Sequence, residues 1–389
     1  MAPKELNVLV LQGGGALGAY QAGAFERLAK EGFDLDWVAG ISIGAINAAL
    51  ICGNPPERRV KRLRTFWERV SANLALNPLI MGQKSRRAYA QYASAVVSVT
   101  GAPGFFVPRN PLTFWPWNPV QPLSYYDTSP LFDTLTELVD FTYLNDSGPR
   151  ISVEAVDLET GNFTNFDSSE TRIGPEHIMA SGALPPGFPP VEVDGRLYWD
   201  GGLVSNTPLQ YVMEHAATDP MCIFQIDLFS ANGPRPENIA EVEQRLMDVR
   251  FSSRTRLTTD RFRQLHDIRA AADRLAEKLP KELQSDPDLA FLRASGPHCP
   301  VTIAHLIHRK EGFESGTKDY EFSRMTMAEH WAIGMADVKH TLSHDMWKTR
   351  QIGVDGLQVF DLGGAVPSHK GAHPKLAQNV TPIRKGATK

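Results

Sequence analysis

The sequence predicts an α/β fold built on a largely parallel sheet. Apolar runs such as LNVLVL (6–11) and MCIFQIDLFS (221–230) are continuous rather than alternating, the pattern of strands buried on both faces. Strand-like and helix-like stretches alternate through the first 53 residues, the order of a parallel α/β unit. No stretch of about 18 apolar residues occurs, so no membrane span is expected. The 389 residues suffice for one large elaborated domain or for two.

Taken in order, LNVLVL is the first strand, and ALGAYQAGAFERLAKEG then reads as a helix that Gly32 can stop. LDWVAG (35–40) is a second short strand and SIGAINAALICG (42–53) a small-residue helix. Residues 57–70 read as helical, whereas about 78–130 departs from the α/β alternation as an insert. The later half of that insert carries seven aromatics, six prolines and one charge before Asp127. RISVEAVDL (150–158) and GNFTNFD (161–167) read as a strand and its hairpin partner, and GPEHIMASGAL (174–184) as a helix ended by Pro185-Pro186. After the strand at 221–230 the character changes: residues 237–282 look like long helices, 300–308 like one more strand and 322–342 like a helix. The expected organisation is a core domain at 6–235, a mainly helical extension at 236–363 and a tail at 364–389 with five basic residues and no acid, expected to be disordered.

The composition is that of an ordinary globular chain, with 42% hydrophobic and 22% charged residues and a net charge of −4, which gives no basic footprint for nucleic acid. Cys52, Cys222 and Cys299 are far apart and form no C-x-x-C pair, as expected in a reducing, cytoplasmic setting. The N-terminal apolar run is too short for a signal-peptide core.

Two glycine motifs carry the chemistry. Gly13, Gly15 and Gly18 in QGGGALG spell G-x-G-x-x-G, which by itself fits a dinucleotide loop or a tight turn. A dinucleotide site needs an acid after the second strand, but Asp34 and Asp36 precede it. The second strand runs into GISIG, with Gly40, Ser42 and Gly44 forming G-x-S-x-G at a strand-to-helix junction. There a serine is either a helix cap or a nucleophile raised clear of the sheet. With a nucleophile at Ser42, the amides of Gly13, Gly14 and Gly15 gain a second use as oxyanion donors. None of the 11 histidines sits in a recognisable triad motif. Asp200, ahead of Gly201 and Gly202 in YWDGGLVSNTPL, is a candidate base, with a hairpin turn as the plain alternative.

Together QGGGALG, GISIG and DGG, supported by SGALPPGFPPV (181–191) and GGLVSNTPL (201–209), resemble the patatin-like phospholipases over about residues 6–230. The resemblance implies a three-layer α/β/α fold with a mostly parallel sheet. It also implies a Ser-Asp dyad of Ser42 as nucleophile and Asp200 as base, and an oxyanion hole at Gly13–Gly15. No cofactor or metal is required, and the implied substrate is a lipid acyl ester. A transacylase or a thioesterase would use the same groups, and a non-catalytic nucleotide-binding scaffold is the reading from another class. The family's loop often carries Lys or Arg where this chain has Leu17, which bears on charged head groups and not on ester cleavage.

The segment 104–126 reads as an acyl platform or lid suited to a membrane interface, or as an insertion packed on its own aromatics. Residues 245–263, with six arginines against two acids, and the basic tail are further candidates for anionic lipid or simply solvated surface.

Overall fold

The computed structural model describes residues 5–74, 83–119, 121–215, 220–253, 255–294, 299–309, 318–353 and 356–362. The expected tail at 364–389 and the start of the insert lie outside them.

The strands are β1 (Leu6–Leu11), β2 (Trp37–Gly40), β3 (Val107–Pro108), β4 (Tyr126–Asp127), β5 (Arg150–Asp157), β6 (Phe163–Asp167), β7 (Val191–Val193), β8 (Arg196–Asp200), β9 (Met221–Asp227), β10 (Val301–Ile307) and β11 (Leu357–Phe360). Helices α1 (Gly18–Lys30), α2 (Ile43–Cys52) and α3 (Pro56–Val70) follow the first strands, and α4 (Gln83–Thr100) opens the insert. Next come α5 (Ser129–Leu138), α6 (Phe141–Asp146), α7 (Pro175–Ser181) and α8 (Leu209–Glu214). The C-terminal part holds α9 (Ile239–Phe251), α10 (Thr255–Ala276), α11 (Pro287–Ala294), α12 (Arg324–Ser343) and α13 (Asp345–Lys348).

The main sheet runs β11-β10-β9-β1-β2-β5-β8-β7, with β6 also on β5, while β3 and β4 pair apart as a small antiparallel ladder. From β11 to β5 every pairing is parallel; the strands after β5 close in antiparallel hairpins. Alternation along β1 builds the layers. Leu9 and Leu11 join the core of α1, α2, α3 and α12, whereas Val8 and Val10 join that of α8 and Phe262 of α10. The result is the expected three-layer α/β/α arrangement.

The C-terminal part is mainly helical, as read, but it also supplies β10 and β11, which extend the same sheet beyond β9. Its helix α12 lies directly on α1. A Cβ at Gly23 would come within 2.0 Å of the Trp331 carbonyl oxygen, and one at Gly334 within 2.1 Å of that of Tyr20. The Trp331 indole N–H donates to Glu26 Oε2 across this crossing at 2.6 Å. The two backbones touch because glycine occupies both contact points. Cys52, Cys222 and Cys299 are all buried, and no disulfide joins them among the described residues.

Strand register around β5 brings the ends of two distant segments together. A strand has two edges, and β6 takes one along Ser152–Val156. β2 and β8 therefore share the other, β2 opposite Arg150–Val153 and β8 opposite Ala155–Asp157. β2 is parallel to β5 and ends at Gly40, opposite Val153; β8 is antiparallel and ends at Asp200, opposite Ala155. The two carboxyl ends meet head-on along one edge, and the residues just past them share one space.

Candidate active site

Ser42 sits at that meeting point with φ 57° and ψ −124°, a conformation rare for a residue bearing a side chain. Its neighbours explain how the turn is held. A Cβ at Gly40 would lie 2.4 Å from the Gly44 carbonyl oxygen, and one at Gly44 2.3 Å from that of Leu11. Only glycine at both places lets β2 reverse into α2 so sharply. The Ser42 carbonyl accepts from Ala45 at 2.9 Å and Ile46 at 3.2 Å, but its hydroxyl makes no capping bond. The hydroxyl is thus not used to cap the helix, as the plain reading of the motif would have it.

Ser42 and Asp200 instead line one cavity, and the serine side chain favours the ionised form of the Asp200 carboxyl. Asp200 is buried, and its Oδ1 accepts the Gly202 N–H at 2.7 Å. Desolvation pushes its pKa up to about 7, although Ser42 and the Gly202 N–H act in the opposite direction. Gly201 and Gly202 form the single 3₁₀ turn after β8, so the D-G-G stretch is also a local turn.

The glycine-rich loop faces the same cavity. Gly13, Gly14, Gly15, Ser42, Asp200, Gly202 and Asn206 supply its polar floor, and Phe105, Phe106, Phe188, Phe229, Phe251 and Phe322 much of its wall. The Gly13 N–H donates to the Asn206 carbonyl at 3.2 Å. That engagement narrows the three amides expected of the loop to those of Gly14 and Gly15, which have no partner among the described residues. Gly18 begins α1 beyond the loop, and Leu17, where relatives often carry a cation, is fully buried in the core.

Several supporting residues lie within the quoted stretches, although the sequence assigns them no role. Ser181 accepts the Ser42 N–H at both its carbonyl and hydroxyl oxygens, each at 3.1 Å, and its own hydroxyl donates to the Glu154 carbonyl at 2.7 Å. Asn206 Nδ2 donates to the carbonyls of Gly13 and Phe251, each at 2.9 Å. Gln12 bridges Thr207, Phe251, Leu228 and Phe229 beneath the loop. Among the described residues no histidine lines the cavity, and no cluster of three or more His, Cys, Asp or Glu could hold a metal. His305 Nε2 lies 2.6 Å from Asp227 Oδ2, and His177 Nδ1 accepts the Gly174 N–H at 2.9 Å.

A family model described as patatin-like phospholipase matches residues 9–213, which include the glycine loop, the Ser42 elbow and Asp200. The chain belongs to the patatin-like phospholipase family. That family is one of lipid ester hydrolases, and a second model, described as patatin phospholipase, matches residues 249–352 of this member. Similar solved structures include VipD from Legionella pneumophila, at 14% identity and TM-score 0.34, covering 84% of this chain and 67% of that one. The type III effector protein ExoU is 14% identical at TM-score 0.29, covering 86% and 54%. Human GIVD cytosolic phospholipase A2 is 11% identical at TM-score 0.33, covering 86% and 63%. This family member therefore spans between about half and two thirds of the length of those chains. A comparison with curated proteins finds no match. No described helix of this patatin-like phospholipase is long and apolar enough to cross a membrane.

Proposed function

We propose that the protein hydrolyses lipid acyl esters through an acyl-Ser42 intermediate, with Asp200 as general base. The observation that carries this reading is the uncapped Ser42 hydroxyl, held at a strained turn in one cavity with a buried carboxylate whose pKa lies near neutrality. In the first half-reaction Ser42 Oγ attacks the ester carbonyl carbon as its proton passes to Asp200. The oxyanion forms against the Gly14 and Gly15 amides. Collapse breaks the ester C–O bond, and Asp200 returns the proton to the departing alkoxide. In the second half, water gives its proton to Asp200 and attacks the acyl carbon. Ser42 leaves and recovers its proton from Asp200, releasing the fatty acid.

Treatment with a fluorophosphonate, followed by intact-mass and peptide analysis, tests this directly. One adduct on Ser42 is expected, with cleavage of acyl esters that the adduct blocks. No adduct, together with binding of a dinucleotide, would sink the reading.

The oxyanion assignment has its own test. Gly14→Val places a Cβ only 2.8 Å from Leu228 Cδ1 and 3.0 Å from Phe229 Cε2, so the loop must shift. The expected result is a fall in kcat of roughly 10²-fold with little change in KM. A change confined to KM would assign the loop to ground-state binding.

The substrate side of the reading includes contact with a lipid surface through residues 104–126. Phe105 and Phe106 line the cavity, while the outer part of the same segment exposes Leu112 at 72% and Trp117 at 79%, with the Trp115 ring tilted against that of Trp117 at 5.4 Å between centroids. Indole rings on an uncharged projection favour the bilayer interface. Replacing Trp115 and Trp117 by Ser should reduce turnover of long-chain esters in vesicles several-fold and leave a soluble butyryl ester unaffected. Equal losses on both substrates would make the segment purely structural.

A further inference from the structure

One wall of the catalytic cavity comes from well outside the motifs. Asp319, Tyr320 and Phe322 line the cavity beside Ser42 and Asp200, although the patatin-like phospholipase model ends at residue 213. The segment 318–322 is fixed on both sides. Lys318 Nζ lies 2.9 Å from Asp248 Oδ1 of α9, with both side chains largely buried. Just beyond it, Arg324 donates to Ser71 Oγ at 2.8 Å and to the Glu68 carbonyl, while Arg86 of α4 pairs with Glu329 at 2.6 Å.

Between these anchors Phe322 stacks on Trp67, with ring centroids 6.4 Å apart and an interplanar angle of 15°, and meets Phe105 and Phe106 edge-on. The backbone of the segment abuts the glycine loop: a Cβ at Gly15 would lie 2.3 Å from the Asp319 carbonyl oxygen. Gly15 has φ 54°, so its lack of a side chain serves both the turn and this contact. Tyr320 is different in kind. It is the cavity-lining residue of the segment that carries a neutral hydroxyl, close enough to Asp200 to feel its charge. Burial, helped by the charges of Asp319, Tyr126 and Asp200, pushes its pKa to about 12, so it stays a protonated donor at neutral pH.

We propose that this strap selects the substrate: Phe322 walls the acyl chain, and the Tyr320 hydroxyl donates to an oxygen on the alcohol part of the ester, beside Asp200. The inference rests on the hydrolase reading of the same site. It makes Tyr320 the residue that discriminates esters of oxygen-bearing alcohols from simple alkyl esters in this chain. An apolar leaving group would leave the Tyr320 donor desolvated and unpaired, which costs binding.

The test compares monooctanoylglycerol with hexyl octanoate. Wild-type protein should prefer the glyceryl ester. Tyr320→Phe, which removes one oxygen and keeps the ring, should lower kcat/KM for that ester about 10-fold, mostly through KM, and change the hexyl ester less than twofold. Phe322→Leu, the milder companion to Phe322→Ala, should lower decanoyl against butyryl turnover. If Ser42 takes the fluorophosphonate and both esters are cleaved, equal effects of Tyr320→Phe on the two esters, or none, overturn the strap assignment alone. A wild-type chain that cleaves neither ester and whose Ser42 stays unlabelled overturns the hydrolase reading and this inference with it.

Discussion

Asp200→Asn should remove turnover by roughly 10²–10⁴-fold while making the fold more stable at pH 8. Asparagine retains the shape and can still accept the Gly202 N–H, but it cannot take the Ser42 proton. The stability gain follows from the sign of the shift. In the native state Asp200 is held near pKa 7, against about 4 for an unfolded aspartate. Between those pH values the folded chain binds more protons than the unfolded one, so stability falls as pH rises through that window. The Asp200 contribution is fully present below about pH 4 and lost above about pH 7, where the buried carboxylate must carry its charge. Asn at 200 removes that cost, and Tm at pH 8 should rise by about 2 °C. The wild-type kcat/KM should climb with pH through about 7 and then level off, because only the ionised base works. A pH dependence of stability persisting near pH 6 in the variant belongs to other carboxyls raised by desolvation, Asp319 to about 6 and Glu154 to about 8 among them. Calorimetry across pH 5–8, beside an ester assay, checks both halves. An active, less stable Asp200→Asn protein would refute the assignment.

Ser42→Ala and Ser42→Gly should both be inactive, by at least roughly 10⁴-fold, yet differ in stability. Neither offers an oxygen to acylate. Alanine inherits the full strain of φ 57°, whereas glycine adopts that conformation freely. The expected gain for Ser42→Gly over Ser42→Ala is about 1 kcal/mol by chemical denaturation. If the glycine variant is no more stable, the elbow is not storing strain at this residue.

The fold was legible where burial writes itself into composition. β1, β9 and β10 are apolar on both faces, and β5 with β6 forms a hairpin of alternating residues, so their positions follow from the residues alone. Ser42 and Asp200 were legible because the geometry around them demands glycine, and glycine leaves a readable spacing. β7 and β8 were overlooked, although Asp194-Gly195 between them, with φ of 49° and 78°, is a recognisable hairpin turn. The cavity wall at Tyr320 and Phe322 could not be read at all. Its contacts join residues far apart in sequence, and an aromatic pair has no periodicity or forced backbone to betray it. Ser181 and Asn206 lie in stretches that carry the resemblance, but their roles are unreadable for a related reason: they act largely on backbone carbonyls and amides, which look the same at every position.

The crossing of α1 and α12 has a consequence for how the chain is made. Synthesis runs from the N-terminus, so β1 and α1 emerge first. β1 waits for β9 at 221–227 as its second neighbour, and the small-residue face of α1 waits for α12 at 324–343. Translation of the roughly 100 residues between those two arrivals takes on the order of ten seconds. Through that interval the first helix has α2 and α3 beside it but lacks its main partner α12, and the aromatic strap has not yet reached the glycine loop. Ribosome-stalled chains ending near residue 300 should accordingly resist fluorophosphonate labelling at a serine they already contain. Completion of the core and completion of the cavity wall then become one late event.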